Sequence, residues 1–194
     1  MVYKEMIQKY IDDEIDTLRR LNIDAIDDVI NIMMETYESG NTIYVFGNGG
    51  SSATASHYQN DFNKGVSEHI EKKFNFLCLN DNIPTIMAVA NDIGFEEIFR
   101  FQLKGHIKPG DLFFAISGSG NSKNVLNAVE YAREEGNRIV AITGYDGGKL
   151  GQIADYHLHA PVNSMQITED IHMFFDHMIM SIFYKTLVGI EHLK

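Results

Sequence analysis

Two segments far apart in the chain each carry a histidine and a carboxylate at helical spacing. His57 and Asp61 are four residues apart, and Glu169 and His177 are eight residues apart, so each pair falls on one helix face. Imidazole and carboxylate groups are ligands of Zn²⁺ and similar divalent ions. If the two helices face each other, these residues predict a four-ligand site, although the same spacing also produces a plain His–Asp hydrogen bond.

Other polar residues lie near these candidates. His172 and Asp176 share the broad stripe of the last helix with Glu169 and His177. His172 is interpreted as a histidine of the core or of an interface. His157 and His159 alternate on a predicted strand and therefore point to the same face, and the sequence indicates no partner for them.

A glycine-rich loop predicts an anion site. Residues 42–46 read as a buried strand, Gly47-Asn-Gly-Gly-Ser51 follow, and a helix-compatible stretch begins at Ser52 with a hydroxyl at its N-cap. Free amides and the positive end of the helix dipole point to the same place there. The loop is neither a Walker A motif nor a GxGxxG fingerprint. A tight turn without a ligand remains the alternative.

A second loop repeats this arrangement. The strand at 111–116 runs into Ser117-Gly-Ser-Gly-Asn-Ser122, and a helix at 123–135 follows. Three serine hydroxyls and the adjacent amides can surround the oxygens of a phosphate without a basic residue. A flexible Ser-Gly turn is the alternative here.

The elements around these loops predict the fold class. Further strands are expected at 74–79, 138–143 and 156–160, and helices at 52–61, 85–90, 95–103, 149–154 and from 167 to about His192. Two helices are expected within residues 1–39, a surface loop at 63–73 and a cap or turn at Asn91-Asp92. Strands that alternate with helices predict a three-layer α/β sandwich with a parallel sheet, in one domain spanning 1–194.

Composition narrows the class of partner. The net charge of −11 and the lack of a Lys/Arg cluster argue against a nucleic-acid surface. No apolar run reaches the length of about 18 residues that a membrane span needs, and the N-terminal residues lack a signal-peptide pattern. The single cysteine, Cys78, predicts a reducing, cytoplasmic setting.

Four motifs together resemble a known family. FGNGGSSATASH, AVANDIGFEEIF, FFAISGSGNSKNVL and EDIHMFFDH resemble the sugar isomerase (SIS) domain, within it the phosphoheptose isomerases, over about residues 3–185. The resemblance implies a five-stranded parallel sheet flanked by helices. It also implies a homotetramer with active sites at subunit interfaces, a phosphorylated sugar substrate and one Zn²⁺ per subunit.

The resemblance also assigns roles to residues. It implies that the substrate is bound by Asn48, Gly49, Gly50, Ser51, Asn91, Asp92, Ser117, Ser119, Ser122 and Glu169. It implies a metal site at His57, Asp61, Glu169 and His177, with Asp61 and His177 as the catalytic acid and base.

This sequence departs from the pattern that the family usually shows. Asp61 stands where the family has Glu, Glu169 where it has Gln, Gly118 where a threonine is common and Ile167 where an arginine is common. Asp61 is one methylene shorter than Glu, which weakens its case as a base or favours metal ligation alone. Glu169 adds a negative charge that favours a divalent cation.

The expected activity is aldose-ketose isomerisation. The family's reaction converts sedoheptulose 7-phosphate to glycero-manno-heptose 7-phosphate through an enediol, for the heptose of a cell-surface polysaccharide such as lipopolysaccharide or capsule. Two alternatives remain open. The first is isomerisation of another sugar phosphate, and the second is a non-catalytic SIS tetramer that binds a protein partner such as a replication initiator.

Overall fold

The computed structural model describes residues 2–189, in which five short apolar runs form one sheet. The strands are β1 (Ile43–Gly47), β2 (Phe76–Cys78), β3 (Leu112–Ser117), β4 (Arg138–Thr143) and β5 (Tyr156–His159). Neighbouring strands are parallel and their order is β2-β1-β3-β4-β5. Each strand begins or ends within two residues of its predicted bounds, because strands covered on both faces read as continuous apolar runs.

Helices cover both faces of the sheet. They are α1 (Val2–Arg19), α2 (Ile23–Ser39), α3 (Gly50–Asn60), α4 (Ile83–Asp92), α5 (Arg100–Leu103), α6 (Lys123–Glu134), α7 (Gly148–Ile153) and α8 (Met165–Leu187). One apolar layer includes Val29 of α2, Tyr58 of α3 and Phe175 of α8, and the other includes Val129 of α6. The predicted α/β sandwich with two N-terminal helices is therefore confirmed.

The sheet order places the two small-residue loops side by side. The strands β1 and β3 are neighbours, and the chain leaves them toward β2 on one side and β4 on the other. Ligands of open parallel sheets bind outside the carboxyl ends of the strands at such a switch point. The glycine loop after β1 and the serine loop after β3 both begin there.

Two predicted segments differ from the structure. The expected loop at 63–73 contains a π-helix at Asp61–Val66 and a 3₁₀ turn at Ser67–His69. Asn63 looked like a loop residue because it is polar, but its side chain exchanges two 2.8 Å hydrogen bonds with the backbone of Phe76, on the edge strand β2. The segment 95–103 is a 3₁₀ turn followed by the single-turn α5.

The ends of two helices also differ. Asn91 and Asp92 are the last residues of α4 instead of a break before the next helix. The helix α8 ends at Leu187, so the predicted helix is too long at residues 188 and 189, and its last part, 190–192, lies outside the described residues.

Over residues 2–189, we find no helix whose length and apolar character would let it cross a bilayer.

Candidate active site

The glycine loop turns the chain from β1 into α3. Gly49 adopts φ 55° and ψ −121°, a conformation that side-chain-bearing residues avoid, and α3 begins at Gly50. The hydroxyl of Ser52 donates a 2.7 Å hydrogen bond to the carbonyl of Gly49. The N-cap is therefore Gly49 and not Ser52. The amide of Ser52 donates to the carbonyl of Gly49, which leaves those of Gly50 and Ser51 without a backbone acceptor in the described chain.

The serine loop closes the other side of a pocket that we call the anion cup. The hydroxyl of Ser117 donates to that of Ser122 over 3.1 Å, and the amide of Gly120 donates to the carbonyl of Ser117 over 2.9 Å. The anion cup is lined by Asn48, Gly49, Gly50, Ser51, Ile116, Ser117, Gly118, Ser119, Ser122, Met165 and Glu169. The structure thus brings together all seven predicted residues of the two loops, and it adds Glu169 from α8.

A pair of asparagines connects the two loops. Asn48 and Asn124 exchange two side-chain hydrogen bonds, each 2.8 Å long, across 76 positions of sequence. Asn124 is buried in the first turn of α6, and its oxygen also accepts from the amide of Val125 at 3.0 Å. Sequence reasoning missed Asn124, because an asparagine near a helix start reads as a local cap.

Replacing Asn124 with alanine should loosen the glycine loop. We expect a several-fold rise in KM for a phosphorylated substrate with a smaller change in kcat, because the pair positions the anion cup and does not reach the cluster described next. The free energy of unfolding should fall by about 1–3 kcal/mol, since Asn48 loses its partner. Asn127→Ala is the matched control, because Asn127 lies one turn later on α6 and bonds to Glu96 and Glu97. Equal KM values for the two variants would contradict the assignment.

A second group of side chains lies further along α3 and α8. We call it the histidine-carboxylate cluster; its members are His57, Asp61, Asp176 and His177, which each offer one ligand atom within 4.8 Å of the others. The two Nε2 atoms of His57 and His177 are 3.1 Å apart, and Asp61 Oδ2 lies 3.5 Å from His57 Nε2. The structure therefore joins three of the four predicted metal ligands, His57, Asp61 and His177.

Two separations within the cluster suit a tetrahedral ion. Two ligands that each lie about 2.1 Å from a tetrahedral Zn²⁺ are about 3.4 Å from each other. The 3.1 Å and 3.5 Å separations at His57 lie on either side of this value. Without an ion, one imidazole donates its proton to the other, which requires opposite protonation at the two nitrogens.

Asp61 lies where the α-helix α3 gives way to a π-helix. The helix α3 ends at Asn60, and Asp61 is the first residue of the π-helix and only 9% exposed. A π-helical turn inserts an extra residue and re-aims the side chains around it, which is why such turns are frequent at functional sites. Here the turn keeps Asp61 directed at His57 while Phe62 and Val66 remain in the core.

Asp176 is the unpredicted member of the cluster. Its side chain is 0% exposed, and neither carboxylate oxygen has a hydrogen-bond partner among the described residues. Burial, with a smaller contribution from the charge of Asp61, raises the pKa of Asp176 to about 8. The hydroxyl of Tyr58 is also buried without a partner in the described chain, and burial followed by the charge of Asp176 raises the pKa of that tyrosine.

Glu169 belongs to the anion cup. An ideal Cβ built on Gly50 would lie 2.4 Å from Oε1 of Glu169, so the carboxylate rests directly against the start of α3. His177 meets His57 two helical turns further on. The helices α3 and α8 therefore contact each other at two levels, with the anion cup at the first and the cluster at the second.

The other predicted polar residues lie elsewhere. Asn91 donates a 2.8 Å hydrogen bond to Asp92, and both are exposed at the end of α4, outside the lining of the anion cup. His172 is buried, and neither ring nitrogen makes a hydrogen bond of good geometry to a described residue. Burial, partly offset by the nearby backbone of Thr143, lowers its pKa to about 4.

His157 and His159 share a face as predicted. Their rings stack with centroids 5.1 Å apart. His157 Nε2 lies 2.6 Å from the hydroxyl of Thr143, and His159 Nε2 lies 3.1 Å from the carbonyl of Tyr145. Burial, followed by the charge of His159, lowers the pKa of His157 to about 4. These contacts supply the partners that the sequence did not reveal.

Comparison with known sequences identifies similar proteins. The sequence model of the SIS domain matches residues 8–144. A phosphoheptose isomerase of Aliarcobacter butzleri is 35% identical over 151 residues, which cover 78% of this chain and 79% of that protein. A probable phosphoheptose isomerase of Thermoplasma acidophilum is 34% identical over 172 residues, covering 89% of this chain and 94% of that one.

Solved structures agree with this similarity. A phosphoheptose isomerase from Francisella tularensis superposes with a TM-score of 0.87 at 28% identity and covers 95% of this chain and 100% of its own. The phosphoheptose isomerase from Neisseria gonorrhoeae has a TM-score of 0.86 at 24% identity, with coverage of 93% and 98%, and supports the fold.

Proposed function

This chain belongs to the SIS domain family, and from that membership and its site we propose that it is an aldose-ketose isomerase converting sedoheptulose 7-phosphate to glycero-manno-heptose 7-phosphate. Relatives that align over most of their own length are named phosphoheptose isomerases. The observation that carries the proposal is the pairing of an anion cup with a histidine-carboxylate cluster on the same two helices.

The distance between the two sites suits such a substrate. Gly50 and His57 are seven residues apart on α3, which is about 10 Å along the helix axis. Glu169 and His177 are eight residues apart on α8, which is about 12 Å. A heptose 7-phosphate carries its phosphate at the opposite end from its carbonyl, so the phosphate can occupy the cup while the reacting carbons lie near the cluster.

The chemistry needs groups that move a proton between adjacent carbons. A base takes the proton from the carbon next to the carbonyl while the carbonyl oxygen gains a proton, which gives the enediol. An acid then returns a proton to the neighbouring carbon, and the other hydroxyl loses its proton to become the new carbonyl. We assign these roles to the carboxylate of Asp61 and the imidazole of His177. Asp61 has two oxygens, so Oδ2 can face His57 while the carboxylate still accepts a proton.

The same residues suit a divalent cation, which we propose to be one Zn²⁺ per subunit. His57, Asp61 and His177 would hold it, with a carboxylate as the fourth ligand. A bound Zn²⁺ polarises a carbonyl and stabilises the charge that develops on the enediolate oxygen. Nε2 of His177 cannot bind an ion and carry a proton at once. His177 would therefore act as the acid only while that nitrogen is free of the ion, and Asp61 would move the proton while the ion is bound.

The activity can be followed directly. Purified protein is incubated with sedoheptulose 7-phosphate, and the aldose product is followed by NMR with added Zn²⁺ and again with a chelator. We expect turnover with Zn²⁺ and a loss of at least tenfold with the chelator. Unchanged heptose at high protein concentration would reject the proposal.

A second sugar phosphate is the alternative substrate. The reason to include it is that Asp61 and Glu169 stand where the family usually has Glu and Gln, beside the reacting carbons and the cup. A panel of pentose, hexose and heptose phosphates, compared by kcat/KM, distinguishes the substrates. A preference for a pentose or hexose phosphate would keep the reaction class and change the substrate.

The proposal extends to the assembly and setting of the enzyme. We propose a homotetramer, which the exposed apolar side chains along α1 support, among them Met6, Ile7 and Ile11. We also propose that residues 1–194 form one domain, since α2 packs into the core of the sheet. The buried thiol of Cys78 is free, which supports a cytoplasmic location.

A further inference from the structure

We propose that Asp176, and not Glu169, supplies the fourth ligand of the metal site, and that Glu169 serves the anion cup alone. This inference rests on the proposed function for the presence of an ion in the cluster. It differs from the ligand set that the family resemblance implies, because it moves the fourth ligand from Glu169 to the neighbour of His177.

The position of Asp176 supports the assignment. One of its carboxylate oxygens lies within 4.8 Å of ligand atoms of His57, Asp61 and His177. A site with two imidazoles and two carboxylates has the donor types and the number that Zn²⁺ takes in proteins. All four residues come from one chain, so the ion would need no residue of a second copy.

The surroundings of Asp176 give an independent reason. Its side chain is 0% exposed and both oxygens lack hydrogen-bond partners among the described residues. A buried carboxylate is normally paired with a positive charge, a set of donors or a metal ion. The one Lys or Arg of α8 is Lys185, nine residues beyond Asp176, and the nearer groups on that helix are the imidazoles of His172 and His177. The facing residues His57 and Asp61 offer one more imidazole and one like charge. A divalent cation is the partner that would satisfy the carboxylates of Asp176 and Asp61 and the imidazole of His57 together.

Glu169 has a different environment. Its carboxylate lies against the Cα of Gly50 and lines the anion cup together with Ser51 and Ser119. Asp176 is seven residues further along α8, about 10 Å along the axis. Glutamate side chains on a helix lean toward its N-terminus, which carries the carboxylate of Glu169 away from the cluster. Glu169 is therefore placed to accept hydrogen bonds from the sugar hydroxyls, since its negative charge would repel the phosphate.

The test measures metal binding and not turnover. The full chain is freed of metal, and Zn²⁺ affinity is measured by calorimetry while Co²⁺ binding is followed by its visible absorption. We compare the unmodified protein with Asp176→Leu, Asp176→Asn and Glu169→Gln. Asp28→Leu is the control for the removal of a carboxylate, because Asp28 is exposed on α2.

We expect Asp176→Leu to lower Zn²⁺ affinity by more than about a hundredfold, beyond the effect of changing a residue that only supports a ligand. The tetrahedral Co²⁺ absorption should be lost as well. Glu169→Gln and Asp28→Leu should bind as the unmodified protein does. Asp176→Asn keeps the shape of the side chain and should also bind weakly, which separates the loss of a ligand from misfolding.

Thermal unfolding provides a second test, because the direction of each change in melting temperature can be predicted. Leucine in place of a buried, unpartnered carboxylate should raise the melting temperature of the metal-free protein. Added Zn²⁺ should raise the melting temperature of the unmodified protein and leave that of Asp176→Leu unchanged. If Asp176 had only a structural role, Zn²⁺ would still raise the melting temperature of Asp176→Leu.

The outcomes separate this inference from the proposed function. If Glu169→Gln loses Zn²⁺ and Asp176→Leu retains it, the ligand assignment is overturned while the isomerase proposal stands. If the unmodified protein isomerises the heptose phosphate but binds no Zn²⁺ or Co²⁺, the inference fails and the activity remains. If Asp176 binds the metal but no sugar phosphate is converted, the inference stands and the proposed function fails.

Discussion

An Asp61→Asn enzyme is expected to lose about 10²–10⁴-fold in kcat for isomerisation, the range that general acid-base groups contribute. The amide of asparagine has nearly the shape of the carboxylate, but it cannot accept a proton from carbon. Asp61 also faces His57 at 3.5 Å, so the substitution removes a negative ligand from the cluster. Both effects act on the reaction and neither removes a core contact.

The stability of the Asp61→Asn protein should not fall with its activity. Burial and then the charge of Asp61 raise the pKa of Asp176, so the ionised forms of the two carboxyl groups disfavour each other. Neutralising Asp61 should therefore leave the melting temperature unchanged or slightly higher. The control is Asp28→Asn, an exposed change of the same type. Activity within tenfold of the unmodified enzyme at saturating Zn²⁺ would exclude Asp61 as the base.

Adding one methyl group at Gly120 is expected to have the largest effect on stability. Gly120 has φ +64°, and an ideal Cβ there would lie 2.0 Å from the carbonyl oxygen of Gly147. That oxygen belongs to the backbone, so the serine loop and the loop before α7 must separate to make room. The amide of Leu150 donates to the carbonyl of Gly120 over 2.9 Å, and this bond would be strained as well.

Gly136→Ala provides the matched comparison. Gly136 follows α6 with φ +80°, and a Cβ there would meet nothing within 4 Å. Both variants carry the penalty of about 1–2 kcal/mol for a left-handed alanine. Only Gly120→Ala carries the overlap, which we expect to cost roughly 1–3 kcal/mol more. Urea unfolding with equal slopes measures the difference, and equal midpoints for the two variants would contradict it.

Gly120→Ala should also weaken the anion cup. Ser119 and Ser122 lie on either side of Gly120, and their loop supplies four of the eleven residues that line the cup. We expect kcat/KM for the sugar phosphate to fall more than tenfold in Gly120→Ala and to stay within twofold in Gly136→Ala. This pattern would link the packing of the loop to substrate binding, since Gly136 lies outside the lining of the cup.

The sheet and both loops were predictable from the sequence. Buried parallel strands are apolar on both faces, so all five strands appear as continuous runs such as Leu112–Ser117. The loops are marked by residues without large side chains, because amides can converge only where Cβ atoms are few. The pairing of His57 with Asp61 also follows from helical spacing, which is a local property.

Residues whose partners are distant in sequence were not predictable. Asn63 looked like part of a surface loop, yet it bonds to the backbone of Phe76. Asn124 looked like a local cap, yet it bonds to Asn48 in another loop. In each case polarity indicates exposure, and only a tertiary contact shows that the polar group is satisfied inside the protein.

Helical periodicity by itself placed Glu169, Asp176 and His177 in one stripe of α8, which made that stripe the predicted place of the chemistry. Which carboxylate lies beside the histidines was decided by the packing of α8 against α3. That packing sets Glu169 against Gly50 and places Asp176 beside His57, two turns further on. Helical periodicity gives only the direction in which a side chain points around the axis of α8. A site also depends on which levels of α8 and α3 lie side by side, and only the folded chain fixes that.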